Sequence, residues 1–310
     1  MRHALPRPAW GPTGTPSDIM KPADILVVLA ITLIWGLGFT LAKLGFQDFP
    51  PILLTAFRYL ITAAVMVWFV RPPWALMRRI ALISVICASI NYSLIYSGLA
   101  GVDASTAALL IQLEIPFAAI IAAVALKEHL GIKQLFGMAL SFVGTGFIVG
   151  EPKVQENLFP VFLLVAGAFC WASGQVLVRR LGAVDGTALI AWLSVFGTPQ
   201  LFLTSFVFES GHIEAIESAA WQGWLIILYL GLVMNGLGYA LWYRVLARYP
   251  VNVCMPYQLL VPVITVAGGV LLLGEEPTLL ILLGGAIVIV GVAVITIEMP
   301  WERRRRESRG

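Results

Sequence analysis

Charge is scarce in this chain of 310 residues: 12% are Asp, Glu, Lys or Arg, against about 25% in a soluble domain. With 59% apolar residues and a mean hydropathy of +0.90, an ordinary globular domain is excluded. Histidine is scarcer still. His3, His129 and His212 fall in a tail or between apolar runs, so no span offers an imidazole for a catalytic dyad, and carboxylates are nearly absent from the spans. A membrane enzyme would need a nucleophile with its base, or metal ligands, inside those runs, and HExxH does not occur. Cys87, Cys170 and Cys254 lie far apart, without CxxC or Cys/His spacing, and read as packing residues, not as a metal site or a disulfide framework. GxxxxGK[ST] is missing, so ATP hydrolysis by this chain is not expected. A net charge of +3 gives no footing for nucleic acid. Neither a cofactor nor a metal is expected.

What the sequence does hold is apolar runs of membrane-spanning length, roughly 20 residues each. They predict helices near 24–43, 52–70, 79–98, 104–126, 133–150, 159–179, 187–208, 222–246, 251–273 and 278–297. The fold class is therefore an all-α polytopic membrane protein of ten transmembrane helices, with no room for a second, soluble domain. Residues 1–23, rich in Pro and Gly, read as a disordered cytoplasmic segment without a signal-peptide apolar core. Met20 offers a second start site, which would leave residues 1–19 dispensable. A first unit at 24–150, a periplasmic linker at 151–158, a second unit at 159–297 and a basic cytoplasmic tail at 298–310 follow. The arginines of that tail suit the anionic inner leaflet, a topological role.

Placing the amino terminus inside puts 17 of the 20 Lys and Arg on the cytoplasmic side, as the positive-inside rule requires. The exceptions are Lys43, Lys153 and Arg58. The connection at 209–220, which carries Glu209, Glu214 and Glu217 and no basic residue, falls outside. Both termini are thus expected in the cytoplasm.

The two halves superpose in order. Trp35, Phe39 and Lys43 match Trp171, Gln175 and Arg179 at an offset of 136, and Tyr92, Tyr96, Leu99 and Ala100 match Tyr239, Tyr243, Leu246 and Ala247 at 147. Gln112, Leu113 and Pro116 match Gln258, Leu259 and Pro262 at 146, while Gly137 and Gly144 match Gly284 and Gly291 at 147. Five helices per repeat is an odd number, so the second copy must be inverted relative to the first. Two inverted-topology halves can exchange conformations, which favours a carrier working by alternating access.

Trp35-Gly36 with Lys43, Pro50-Pro51 and Arg58, the Tyr239–Ala247 stretch, and the Leu-x-Pro helices ending in Glu128 and Glu275 resemble the EamA family of the drug/metabolite transporter superfamily, over about residues 24–297. AFCWASGQVLVRR at 168–180 and LGYALWYRVLARYP followed by QLLVPV are most similar to bacterial inner-membrane exporters of amino acids and their precursors, the cysteine/O-acetylserine exporter among them; aromatic amino-acid exporters share the plan. The resemblance implies a basket of ten helices around a cavity lined by helices 1, 3, 4, 6, 8 and 9.

Within that frame, Tyr92 and Tyr96 share a helical face, as do Tyr239 and Tyr243, with Asn235 one turn further. This stripe suits a cavity for an amphipathic solute, or packs between helices with each hydroxyl on a carbonyl. Gln112 and Gln258 precede Pro116 and Pro262, which break the backbone ladder; the amides either bind a substrate's carboxylate or ammonium or bridge helices. Trp35, Trp171 and Gln175 lie at repeat-equivalent places as cavity walls or core, whereas Trp68, Trp74, Trp221 and Trp224 read as an interfacial belt. Glu114 and Arg58 are ionisable groups inside spans, where such groups face a cavity or a partner. They either pair with each other or serve proton coupling or substrate. Lys43 either holds a substrate carboxylate or snorkels to the interface, and Glu128 and Glu275 are structural contacts. Gly137, Ser141, Gly144, Gly284 and Gly291 hold the fifth helix to the bundle or form a dimer face, leaving monomer and homodimer open.

The leading expectation is an inner-membrane exporter of amino acids that are aromatic, cysteine-like or otherwise neutral, with a small molecule and the bilayer as its partners. The runner-up is an importer, a nucleotide-sugar type antiporter, or a facilitator without ion coupling.

Overall fold

A computed structural model describes residues 20–126, 131–182, 184–246, 248–249, 254 and 257–297. The expectations for Glu128 and for both terminal segments, apart from residues 20–23, lie outside that set. The described residues form helices without strands. In chain order the long ones are α1 (Pro22–Gly45), α2 (Pro51–Met66), α3 (Trp74–Ala100), α4 (Ala104–Ile111 and Glu114–Leu126), α5 (Ile132–Val149), α6 (Phe159–Arg179), α7 (Gly186–Phe208), α8 (Trp221–Leu246), α9 (Leu260–Leu273) and α10 (Leu279–Thr296), with short helices at Pro152–Gln155 and His212–Ser218 in the connections. Nine stretches among the described residues are long and apolar enough to cross a membrane, and α9 is a shorter apolar helix of 14 residues. The chain is a multi-pass, all-α membrane protein. Residues 20–23 depart from the expected disorder: Met20 is buried against α1 and α8, and α1 opens at Pro22.

Local chemistry sets the ends. Pro22 and Pro51 open α1 and α2, where proline's missing N–H costs nothing. The Asp185 carboxylate accepts from Ala188 N at 2.8 Å to start α7, and Gly274, at φ +66°, closes α9 in the left-handed conformation that favours glycine. The expected continuous helix 104–126 is broken at Gln112–Leu113. Pro116 has no N–H to give the Gln112 carbonyl, which accepts from Ile115 N at 3.2 Å, so the chain tightens there. A turn at Leu259, three residues before Pro262, is its counterpart in the second half. α3 and α8 also share a feature that hydropathy does not reveal: π-helical stretches at Val85–Ile90 and Tyr229–Leu237, in register at the 147-residue offset.

The largest helix–helix contacts are exchanged into one another by swapping the halves. α1 on α9 corresponds to α6 on α4, α3 on α6 to α8 on α1, and α2 on α8 to α7 on α3; the α2–α7, α4–α9 and α5–α10 pairs map onto themselves. The small-residue stripe serves α5–α10 within the chain. A Cβ on Gly144 would come to 2.6 Å from the Gly284 carbonyl oxygen, and one on Gly137 to 2.6 Å from that of Gly291. These glycines are therefore spent on an internal contact and do not form a free dimer face.

The helix ends separate by charge. One end carries Arg71, Arg78, Arg79, Arg179, Arg180, Arg244 and Arg248, together with Asp24 and Asp185; the other carries Asp48, Asp103, Glu151, Glu209 and Glu275, together with Lys43 and Lys153. Trp68, Trp74 and Trp221 are exposed as an interfacial belt would be, but Trp224 turns inward against Phe49 and Phe57.

Candidate functional site

The aromatic stripes meet at a cavity of about 40 Å³, room for about three waters at 10–15 Å³ each. Tyr92 from α3, Trp171 and Gln175 from α6, and Asn235, Tyr239 and Tyr243 from α8 line it. On α6, α7 and α8 its walls lie in the halves nearer the basic end, reaching Val178, Leu189 and Tyr243. The rings are mutually locked: Tyr92 sits 6.2 Å from Trp171 and 5.3 Å from Tyr59, and Tyr239 stacks on Tyr243 at 6.2 Å.

Four of the expected lining residues sit elsewhere. Trp35 donates its indole N–H to the Met234 carbonyl at 3.1 Å and packs on Tyr239 and Trp242, forming a wall behind the cavity. Tyr96 is fully buried one turn beyond Tyr92. Gln112 is buried and Gln258 leaves its Nε2 without a partner, each beside its helix break. α2 and α7, outside the expected set, contribute Tyr59 and residues of Leu189–Ser194, while no described residue of α1, α4 or α9 is among the lining. Gly36 and Thr265 explain part of this. A Cβ on Gly36 would lie 2.6 Å from Ile264, and Thr265 donates to the Gly36 carbonyl at 2.8 Å, so α1 and α9 close on each other. Tyr59, Cys87 and Ser194 were missed by sequence reasoning, because single polar residues in unbroken apolar runs carry no periodic signal; Tyr59 stood beside Arg58 as the available hint.

Arg58 does not pair with Glu114. Its guanidinium donates to the Tyr96 hydroxyl and to Asn235 Oδ1, and its Cζ lies 4.9 Å from the Tyr92 ring centroid and 5.6 Å from that of Tyr96. Only 1% of Arg58 is exposed, and Nε has no partner among the described residues. A buried cation costs several kcal/mol. Hydrogen bonds to a charged group, about 1.5–3 kcal/mol each, and desolvated aromatic faces, about 2 kcal/mol, offset that cost without any carboxylate. Glu114 begins the second segment of α4, is partly accessible, and makes no hydrogen bond or ion pair among the described residues.

Lys43 neither snorkels nor lines the cavity. Its ammonium donates to the carbonyls of Leu99, at 3.0 Å, and Val102, at the carboxyl end of α3, where the helix dipole favours a cation. Glu275 is structural, as expected: it accepts from Ala104 N at 2.5 Å, Ser105 N at 3.0 Å and Ser105 Oγ at 2.6 Å, capping α4. Glu209 caps α2 through Ile52 N at 2.7 Å and Leu53 N at 2.9 Å, and Asp48 caps α8 through Ala220 N at 3.1 Å. The acidic end is therefore tied from α1 to α3 and from α9 to α4. At the basic end, Arg248 bonds Asp24 at 3.1 Å, joining α1 to the end of α8, and Arg180 donates to the Ala125 carbonyl at 2.7 Å, joining α6 to α4.

Comparison with known proteins agrees with this architecture. The model of the EamA-like transporter family matches residues 22–150 and again 158–297. The chain is 28% identical to a probable amino-acid metabolite efflux pump of Salmonella typhimurium, over 93% of this chain and 100% of that protein. It is 25% identical to the Escherichia coli protein of the same description, over 92% and 98%. A probable terminal-alkyne amino-acid exporter of Streptantibioticus cattleyicolor is 27% identical over 94% and 99%. A solved crystal structure aligns at a TM-score of 0.62 and 19% identity, over 94% of this chain and 100% of the other, and shows the fold alone. Two matched repeats, packed alike around an aromatic cavity, place the chain in the EamA-like transporter family.

Proposed function

We propose that the protein is an exporter of small metabolites, namely amino acids that are aromatic, cysteine-like or otherwise neutral, in a bacterial inner membrane, working by alternating access of two inverted five-helix repeats with both termini cytoplasmic. One observation carries this reading. The cavity extends from the middle of the bundle toward the basic end, while the acidic end is tied across from α1 and α9 to α3 and α4. Since positive charge is retained inside, we read the cavity as lying on the cytoplasmic side of a tied outer end, and exchanging the roles of two like halves would yield the opposite arrangement. The efflux and exporter descriptions of the relatives support the direction and the substrate class. Phenols, an indole and two amides suit a solute with an apolar side chain and a charged head. Glu114, partly accessible and unpartnered, is the candidate for ion coupling, because a carboxyl inside a span usually faces a partner or a pathway.

Purified protein in proteoliposomes, offered labelled cysteine, O-acetylserine, threonine, methionine, phenylalanine and a nucleotide sugar, tests the reading. Amino-acid flux above protein-free vesicles is expected. Flux of the nucleotide sugar alone would replace the substrate class, and flux of none would overturn the proposal.

A further inference from the structure

We propose that Arg58 is the substrate's carboxylate anchor: a monocarboxylate entering the cavity takes the place of the counter-anion that this buried cation lacks. The inference deepens the amino-acid reading above and rests partly on it, but it stands on separate observations. Arg58 lies within α2 at 1% exposure, and its described partners, the Tyr96 hydroxyl and the Asn235 amide oxygen, are both neutral. Among the described residues its buried Nε has no partner, so that donor remains available beyond the two in use. Two of the groups that hold the guanidinium, the Tyr92 ring and Asn235, are themselves cavity walls, so the charge stands one side chain behind the lining.

The cavity itself is lined by phenols, amides, a thiol, a hydroxyl and apolar groups, with no Asp or Glu. With a cation that has no carboxylate among its described partners behind that wall, the Arg58 side of the cavity is biased toward positive potential, while Asp185 acts on the Tyr243 wall at the other side. The Arg58 side therefore favours an anion. A single arginine fork matches one carboxylate, whereas a phosphate dianion is ordinarily held by several cations or N–H groups. A rotation of the Asn235 amide, which now bonds Arg58 and donates to Thr62 Oγ1 at 3.4 Å, would open the guanidinium to the cavity.

The test measures discrimination, not total activity. Binding by isothermal titration and flux in proteoliposomes are compared for phenylalanine, phenylalaninamide, phenethylamine, N-acetylphenylalanine and phenylpyruvate, in wild type, Arg58→Lys, Arg58→Gln and Asn235→Asp. The wild type is expected to prefer each acid over the amide and the amine by about tenfold or more, the range of a hydrogen bond to a charged group. Arg58→Lys should keep a preference. Arg58→Gln should bring the acid-to-amide ratio to within about twofold. Asn235→Asp, nearly isosteric, supplies an internal carboxylate to the same guanidinium and should abolish the preference even if Arg58→Gln does not fold. Retention of the full ratio in Asn235→Asp, or binding of no acid by the wild type, overturns the assignment. If the two non-amino acids bind through Arg58 while phenylalanine does not, the carboxylate anchor holds and the amino-acid reading falls.

Discussion

Replacing Glu275 by Gln removes a charge from the α4 N-terminus while keeping the side chain's size. In the structure both carboxylate oxygens are engaged, one by Ala104 N and the other by Ser105 N and Oγ. The amide retains one acceptor and turns an NH₂ toward backbone donors. Loss of a charge at a helix N-terminus costs up to about 2 kcal/mol in partly buried geometry, and a hydrogen bond to a charged group about 1.5–3 kcal/mol. A combined effect of about 2–4 kcal/mol on the shut acidic end is expected, which at 1.4 kcal/mol per decade is a shift of roughly 30- to several hundred-fold toward the open conformation. Gly269 makes the arrangement possible, because a Cβ there would meet the Glu275 carboxylate and lie 2.7 Å from Ser105 Oγ. Gly269→Ala should act in the same direction. The assay is the labelling rate of a single cysteine at position 102, in a variant lacking Cys87, Cys170 and Cys254, by a maleimide that cannot cross the membrane. Glu275→Gln should raise the rate at least about tenfold over the matched parent. An unchanged rate with a lowered Tm would refute the reasoning and leave Glu275 a helix cap with no part in closing the end.

Glu209→Gln removes the charged cap on Ile52 N and Leu53 N, and thermal unfolding in detergent should show a loss of about 1–3 kcal/mol. Gly144→Leu forces α5 from α10 where a Cβ already falls 2.6 Å from a carbonyl oxygen, and a loss of at least about 1–3 kcal/mol is expected by the same measurement. Glu114→Gln, isosteric at a residue without a described partner, should leave substrate exchange intact and abolish accumulation driven by an imposed pH gradient. Gradient-driven accumulation equal to wild type would assign the carboxyl no part in coupling.

The spans were legible because their signal is compositional: runs of about 20 apolar residues bounded by Pro, Gly and charge leave few alternatives. The repeat was equally legible, since Tyr92/Tyr239 and Pro116/Pro262 keep their order and spacing. The breaks themselves were less so. Pro116 signals a missing donor, but whether the ladder bends or breaks depends on what the Gln112 carbonyl finds, and that is a tertiary matter. The π-helical stretches before Tyr92 and Tyr239 left no hydropathic trace. At the cavity, residues in repeat-equivalent aromatic stripes were predicted together and many were brought together, while Tyr59 and Ser194 came from helices whose periodicity was silent. For the ionisable groups a linear reading leaves the partners open, and of the two alternatives for Arg58 and Glu114 the mutual ion pair is not formed. Lys43 and Arg58 each admit a substrate role and a structural one in a linear reading, because their partners here, the α3 carbonyls in one case and Tyr96 with Asn235 in the other, are more than 35 residues away in sequence.

Counterflow tests the central claim most directly. Proteoliposomes loaded with unlabelled phenylalanine and diluted into a trace of the labelled amino acid are predicted to accumulate label transiently above its equilibrium level, because a carrier that alternates between two closed ends exchanges solute for solute. Uptake that never exceeds equilibrium, or matches protein-free vesicles, would contradict an alternating-access amino-acid carrier.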